Sequence, residues 1–566
     1  MNRFYGVIDK NIRYVLENGL FDKEAWTLFV KQFCDITDTA DKGWRGEYFG
    51  KMMRGACMVY EYTNDERLYE ILYDTASKML EAQDSLGRFS TYSVEEEFSG
   101  WDMWSRKYVL LGFLHFSKIC KDEGLKERII SALTRHLDYI ADRIGEGKRD
   151  IDTTSDIWLG INSASILEPV VLMYNITKKE SYLSLIKHII KRLQEGEAGI
   201  ITHALENKIL PYQYPTTKAY EMMSCFEGLL EYYLITGEEK WLVATENFAS
   251  GVEKSEITII GCAGCKHELF NNSVQMQTDT DYDGPMQETC VSVTWMKLCA
   301  KLFLITGNTK YADNIERTMY NALYGAVNTE KCEFNGEVFA FDSYSPLTKG
   351  KRGTLVGGYK NINDKRYYGC CVAIGAAGLA LPALLATTEK NNEVFLNFYE
   401  KGECSLDSVT LKIDTEYPNS NKVTVTITDF KENFKKLNLR IPSFSENTKI
   451  YFNQKECSNV IEENWRVGDK IEIYFDFTPK VHFPVGVEGK EETKNFFALS
   501  RGPLVLAKTW SGEIEFDKNF TLTEITTAKE IYKCKVAMGE SEFEMSDYSS
   551  AGKNWNDLIE VWIRQK

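Results

Sequence analysis

No apolar run in this 566-residue sequence is long enough to span a bilayer, and the opening residues, Met1-Asn2-Arg3-Phe4-Tyr5, carry no apolar export signal. Both absences lead to the expectation of a cytoplasmic protein with no membrane partner. Cysteine is too thin for a disulfide scaffold, 14 residues in the whole chain, which fits reduced thiols in that compartment. Positive charge is in deficit: 67 Lys and Arg stand against 83 Asp and Glu, giving a net charge of −16 and a pI near 5.2. That balance argues against general affinity for nucleic acid. No nucleotide-binding or corrinoid-binding signature is visible, and histidine numbers only six. What is present is a globular composition, 43% hydrophobic and 13% aromatic, in a chain long enough for two or three domains.

Within that sparse cysteine supply, three thiols fall in two short motifs, Glu288-Thr289-Cys290 and Cys370-Cys371. Each precedes an apolar run at helical spacing, 291–305 and 373–386. A helix N-terminus carries partial positive charge and free N–H groups, so it favours thiolate over thiol. Zn²⁺ favours the same state, since thiolate, imidazole and carboxylate are its usual ligands. Adjacent cysteines do not suit a disulfide with each other, because their Cα atoms stand about 3.8 Å apart, below the usual range. Spacing alone leaves a metal site and inert buried thiols both open. A further cluster, Cys262-Ala263-Gly264-Cys265-Lys266-His267, offers two thiols and an imidazole at zinc-ligand spacing. We read Cys262 and Cys265 as reduced, partly buried thiols, with a separate metal site as the alternative.

Four segments share one junction: Tyr62-Thr63-Asn64-Asp65, Ile176-Thr177-Lys178-Lys179, Ile235-Thr236-Gly237-Glu238 and Ile305-Thr306-Gly307-Asn308. Each lies between two apolar runs at helical spacing and reads as the turn of a helical hairpin. The threonines are 114, 59 and 70 residues apart, and a degenerate junction at Lys121-Asp122-Glu123 sits midway across the longest gap. About six hairpins at that period can close into an (α/α)6 toroid around a cleft, or remain an open solenoid. The irregular aromatic connections at 98–104 and 209–220 favour closure.

Near residue 390 the pattern changes to strict alternation, as in Val409-Thr410-Leu411-Lys412-Ile413 and Val423-Thr424-Val425-Thr426-Ile427. Short alternating strands between Asn, Ser, Gly and Pro read as an antiparallel β-sandwich. The expected architecture is therefore α+β and multidomain: a helical toroid over residues 1–389, then a sandwich over 390–566.

With these elements in order, the chain resembles the bacterial β-L-arabinofuranosidases of glycoside hydrolase family 127. The resemblance rests on Gly46-Glu47-Tyr48-Phe49-Gly50, His267-Glu268-Leu269-Phe270, Glu288-Thr289-Cys290, Tyr344-Ser345-Pro346-Leu347 and Cys370-Cys371. In the strand region it adds Leu439-Arg440-Ile441-Pro442, Trp465-Arg466-Val467-Gly468-Asp469 and Ala498-Leu499-Ser500-Arg501-Gly502-Pro503. It implies Glu288, Cys290, Cys370 and Cys371 as Zn²⁺ ligands, Cys370 as nucleophile and Glu268 as general acid/base. The interval from Glu268 to Glu288, 20 residues, is longer than the family's and implies an insertion around 275–281. The mechanism is also sound on general grounds. A retaining glycosidase needs a nucleophile on one side of the anomeric carbon and a proton donor by the leaving oxygen. Burial against Phe270 and the negative cluster would keep Glu268 protonated at the outset.

The sugar pocket departs from the family pattern. Where relatives read Gly-His-Phe-x-Gly-His, this chain has Gly46, Glu47, Phe49 and Lys51, and Lys218 replaces another expected histidine. Candidate substrate contacts are Glu47, Trp104, Lys107, Tyr108, Lys218, His267 and Tyr344. Trp104 and Tyr108 suit stacking on a sugar face, or else form a core stripe. Lys51, Arg106, Lys107 and Lys218 would suit an acidic sugar. The resulting expectation is a zinc-dependent retaining exo-glycosidase acting on terminal sugars of plant-type oligosaccharides, with a β-L-arabinofuranoside as default glycone. The alternatives are an acidic glycone, a zinc-thiolate group-transfer protein, or a non-catalytic sugar binder braced by zinc.

Overall fold

The computed structural model describes the chain except residues 1, 283–285, 329–332, 335–336, 349, 353–357, 365, 510–511 and 554–556. Six inner helices form a ring: α1 (Glu47–Thr63), α2 (Asp102–Ile119), α3 (Leu167–Thr177), α4 (Ala219–Thr236), α5 (Thr289–Thr306) and α6 (Cys370–Leu385). Each packs on the next, and α6 packs on α1, so the array closes as a toroid and is not an open solenoid. Outer helices return between them over 66–81, 123–141, 180–195, 239–255 and 309–318, and the helices over 7–15 and 23–34 complete the outer ring.

The repeated threonine has a physical role at the hairpin turns. The hydroxyls of Thr63, Thr177, Thr236 and Thr306 donate to the carbonyl four residues earlier, at 2.8, 2.9, 3.1 and 2.7 Å. Each then accepts from the N–H two residues later, at 3.2–3.4 Å. The intervening residue, Asn64, Lys178, Gly237 or Gly307, is left-handed and reverses the chain. At the degenerate junction the Asp122 carboxylate instead caps the next helix at Leu125 N–H, 3.0 Å away.

Ring closure needs close helix contacts. A Cβ on Gly112 would lie 2.8 Å from the Gly50 Cα, so α1 and α2 cross at paired glycines. Two helical stretches, Trp158–Thr177 and Thr289–Thr306, are long and apolar enough to cross a membrane by length and composition, which corrects the expectation of none. They are core elements of the ring, with 72% and 78% of their windows buried, and that extensive burial is why most of their length is apolar.

Strands follow from Thr387. One antiparallel sheet runs in the order 2–4, 402–405, 409–415, 422–430, 470–474, 449–452, 455–456. Its edge is the chain's own N-terminal segment, paired Asn2 to Cys404. A four-stranded sheet of 460–461, 436–439, 393–396 and 387–390 contains one parallel pair, 393–396 with 436–439. A third sheet holds 480–482, 496–501, 504–507, 541–547, 533–538 and 520–524. Its Arg501-Gly502-Pro503-Leu504 turn needs the positive φ of Gly502, +55°. Asn321 of the helical ring ties to this hairpin, donating to Pro503 O at 3.0 Å and accepting from Val505 N–H at 2.8 Å.

Candidate active site

The first turns of α1, α2, α4, α5 and α6 meet at one end of the ring, Glu47 with Trp104, Lys51 with Tyr220 and Cys290 with Cys371, so unsatisfied N–H groups and positive dipole ends gather there. Glu288 precedes α5 at its N-cap, Cys290 lies in its first turn, and Cys370 and Cys371 open α6. The four side chains meet: their ligand atoms all lie within 4.8 Å of one another. Cys290 Sγ is 3.4 Å from Cys371 Sγ, and Cys370 Sγ is 3.9 Å from it. Glu288 Oε1 is 3.5 Å from Cys371 Sγ and 3.7 Å from Cys370 Sγ. A tetrahedron of Zn–S and Zn–O bonds has edges of about 3.6–3.8 Å, so the donor set fits Zn²⁺ in type and spacing. The second Glu288 oxygen is buried without a hydrogen-bond partner, which is compatible with a cation held by this group.

Burial pushes the Glu288 carboxyl and the Cys290 and Cys371 thiols well up. Cys370 behaves oppositely. Its contacts with the Cys290 and Cys371 thiols, helped by Lys51 and Lys218, hold it well below the usual thiol range. Ionisation is thus favoured most at Cys370, the one thiol of the three that is not fully buried. Gly358 shields it: the Cys370 N–H donates to Gly358 O at 3.2 Å, and a Cβ on Gly358, φ +70°, would come within 2.5 Å of Cys370 Sγ.

The rim beside the cluster is built from short backbone pairings, Lys218 with Leu269, Lys266 with Met286 and Glu288 with Tyr344. Glu268 sits on this rim, 31% exposed, in an ion pair with the buried ammonium of Lys218. Lys218 also lies 4.0 Å from Glu221, the third residue of α4. Phe270 turns edge-on to Phe248, and Lys218 rather than an apolar wall governs the Glu268 carboxylate. Trp101 and Trp158 flank Lys218, with Nζ 5.8 and 5.1 Å from their rings.

Below the rim, Glu47 is 2% exposed and accepts from Trp104 Nε1 and from Lys51 Nζ, the latter at 3.0 Å. Burial pushes it up to about 7 against the pull of Lys51, and the Cys370 charge adds to the rise. Its other oxygen has no partner. Lys51 stacks over Tyr220, Tyr108 and Trp104 at 4.6, 5.2 and 5.5 Å. Trp104 and Tyr108 are each 1% exposed and pack edge to face, so they brace Glu47 and Lys51 from within the core. Lys107 is deeper, donating to Ser165 Oγ at 3.2 Å, and burial next to Lys297 pushes it down to about 7.

The remaining candidates separate. Tyr344 borders the cluster, its phenol pushed up by burial and by Glu288. His267, at φ +52°, lies 6.1 Å from the Tyr282 ring and does not join Cys262 and Cys265. Among the described residues the Glu288 cluster is the single group with metal-ligand convergence. Cys262 lies behind it, 3.8 Å from the Glu288 carbonyl, its thiol pushed up to about 12 by burial. Arg106 is committed to Asp102 and Glu97. Sequence reasoning passed over Glu221, Tyr220 and Gly358. The signal for the first two was the Tyr220-Glu221 pair, one residue beyond Lys218, in an otherwise largely apolar helix start. Gly358 gave none, because its role depends on a contact across 12 residues.

Comparison with known proteins gives two family matches: the catalytic-domain model of the GH127 β-L-arabinofuranosidases over residues 10–380, and the GH127 middle-domain model over 393–477. Among solved structures, a GH127 β-L-arabinofuranosidase from Geobacillus stearothermophilus T6 superposes with a TM-score of 0.77 at 16% identity, covering 100% of both chains. A GH127 β-arabinofuranosidase, BT3674, gives 0.73 at 18% identity, covering 99% of this chain and 94% of its own. A third structure, described as a glycoside hydrolase, gives 0.70 at 17% identity with 95% of each chain covered. A search among curated proteins finds no match.

Proposed function

Because this chain belongs to the GH127 family and is a glycoside hydrolase, we propose that it is a retaining exo-glycosidase with Cys370 as nucleophile, Glu268 as acid/base and a terminal β-L-arabinofuranoside as glycone. The observation that supports this most directly is the convergence of Glu288, Cys290, Cys370 and Cys371 within 4.8 Å beside the rim that carries Glu268. Those four residues would hold Zn²⁺, whose chemistry there is to keep the thiols deprotonated. In the first step Cys370 Sγ bonds to the anomeric carbon, the glycosidic C–O bond breaks, and Glu268 gives its proton to the leaving oxygen. In the second, Glu268 takes a proton from water, the water oxygen bonds to the anomeric carbon, and the C–S bond breaks to return the thiolate. Lys218 orients Glu268 between these steps, and the ion pair must loosen for the acid step. The substrate would be a short oligosaccharide met in the cytoplasm.

An acidic glycone is less well served. Arg106 is bound by Asp102 and Glu97, Lys51 by Glu47, and Lys218 by Glu268 and Glu221. Lys107 is left without a carboxylate among the described residues, too deep to meet a sugar at Cys370.

The test is hydrolysis of aryl glycosides by Cys370→Ser and Glu268→Gln, with circular dichroism as fold control. Both should lose turnover by about a hundredfold or more while keeping the wild-type spectrum. Metal analysis of freshly reduced protein should find one zinc per chain, retained in a Cys262→Ser/Cys265→Ser variant and lost in Cys290→Ser/Cys371→Ser. Wild-type rates in Cys370→Ser, or active protein free of zinc, would overturn the reading.

A further inference from the structure

Away from the ring's mouth, three parts of the fold meet around a second concave site of about 470 Å³. The outer helix Thr309–Thr318 supplies Lys310, Asp313, Glu316 and Arg317. The turn after Leu439 supplies Ser443 and Phe444, and the third sheet supplies Lys480, His482 and Ser500. The volume lies within the usual range for small-molecule sites and exceeds what a lone inorganic ion fills.

The charges on this wall are unequally satisfied. Asp313 and Glu316 are both held by Arg440, at 2.6 and 2.8 Å. Lys310 pairs with Glu253, whereas Lys480 meets only the 70% exposed Glu446, a solvent-screened surface contact that an incoming anion can displace. Arg317 differs. Its Nε donates to Ile259 O at 2.8 Å, and no described carboxylate pairs with it. The two terminal nitrogens of its guanidinium therefore remain as an open fork on the pocket wall. Arg317 is partly buried, and burial without a counter-charge pushes it down to about 10, so it keeps its charge at neutral pH with little to offset it. His482 is close enough to feel both Arg317 and Lys480, and its Nε2 meets Ser500 Oγ at 2.7 Å. Phe444 adds an apolar ring, held edge-on against Phe475 and Phe477 at 6.4 and 5.7 Å.

We propose that this pocket is a second binding site for an anionic sugar, whose carboxylate or phosphate is taken by the Arg317 fork with Lys480 and Ser500 beside it, and whose ring lies on Phe444. A planar guanidinium matches two oxygens of a carboxylate or phosphate in a bidentate pair, and a desolvated one gains most from it. An apolar ring beside fixed polar groups is the usual composition of a sugar subsite. The site is separate from Cys370 and stands whether or not the catalytic reading holds.

Isothermal titration of the full-length protein distinguishes the anion sources. Galacturonate tests the carboxylate, galactose 1-phosphate tests the phosphate, and galactose serves as neutral control, all at matched ionic strength. At least one anion should bind saturably and raise the melting temperature, and galactose should do neither. Arg317→Met should weaken that binding about ten- to a hundredfold, the loss expected for a charge-assisted bidentate pair. Arg317→Lys, which keeps the charge without the fork, should recover only part of it. Because Arg317 also carries a backbone contact, the exposed substitution Lys480→Gln is the folding-neutral check, with a loss of a few-fold. None of these changes should alter hydrolysis of an aryl glycoside. Absence of saturable binding by both anions, equal binding of galactose, or unchanged affinity in Arg317→Met would overturn the proposal.

Discussion

Glu221→Gln isolates the charge that Lys218 shares between two carboxylates. Lys218 touches Glu268 and lies 4.0 Å from Glu221. Burial pushes Glu221 up to about 7; Lys218 pulls against that rise and Glu268 adds to it. Across neutral pH Glu221 thus passes from neutral to ionised, and Lys218 passes from serving Glu268 alone to serving both. Unit charges about 4 Å apart attract by about 4 kcal/mol at an effective dielectric of 20 and about 1 kcal/mol in water. The Glu268 side chain is 31% exposed, so the site lies between those limits. We take about 1–2 kcal/mol as the part felt by the ion pair that must loosen, which is roughly 5- to 30-fold in rate. The ratio of wild-type to Glu221→Gln kcat/KM on an aryl glycoside should climb by that factor between about pH 6 and pH 8 as Glu221 ionises, whatever the protonation of Glu268 does to both profiles alike. The assay is initial rates in reducing buffer with zinc present, and Glu47→Gln serves as comparison because Glu47 also titrates at about 7. A Glu221→Gln profile superimposable on the wild type would refute the coupling.

Two further outcomes concern stability. Arg440→Met should leave Glu316 and Asp313 without their cation and cost about 3–5 kcal/mol, read as a lower urea midpoint; an unchanged midpoint would show that the ring and sheets do not depend on this contact. Glu400, fully buried, is pushed up to about 8, so the folded chain keeps a proton that the unfolded chain gives up from about 4.5. The stability it contributes is complete below about pH 4.5 and is lost as pH rises through about 8, a swing of at most about 4–5 kcal/mol. Glu400→Gln should flatten that part of the urea-midpoint profile, and an unaltered slope would locate the proton elsewhere.

Much of this architecture was readable from local chemistry. The Thr-x turn repeats because a threonine hydroxyl closes one helix and opens the next within four residues, so the sequence itself carries the hairpins. The alternating strands after residue 390 and the thiols ahead of apolar helices are local in the same sense. Local pattern could not show that the first strand of the sandwich sheet is Asn2–Phe4, because its partner lies about 400 residues away. Nor could it assign Trp104 and Tyr108 to the core, since an aromatic at helical spacing is equally suited to a cleft or to packing. The sequence by itself determined which segments are helix or strand and offered two candidate thiol clusters, because both depend on residue type and short spacing. Only the closed ring decided that Glu288, Cys290, Cys370 and Cys371 meet, and that Lys218 stands between Glu221 and Glu268. Cys290 and Cys371 meet across 81 residues and Lys218 reaches Glu268 on the rim beyond its own helix, and the electrostatics of both contacts follow from burial that exists only once the ring is complete.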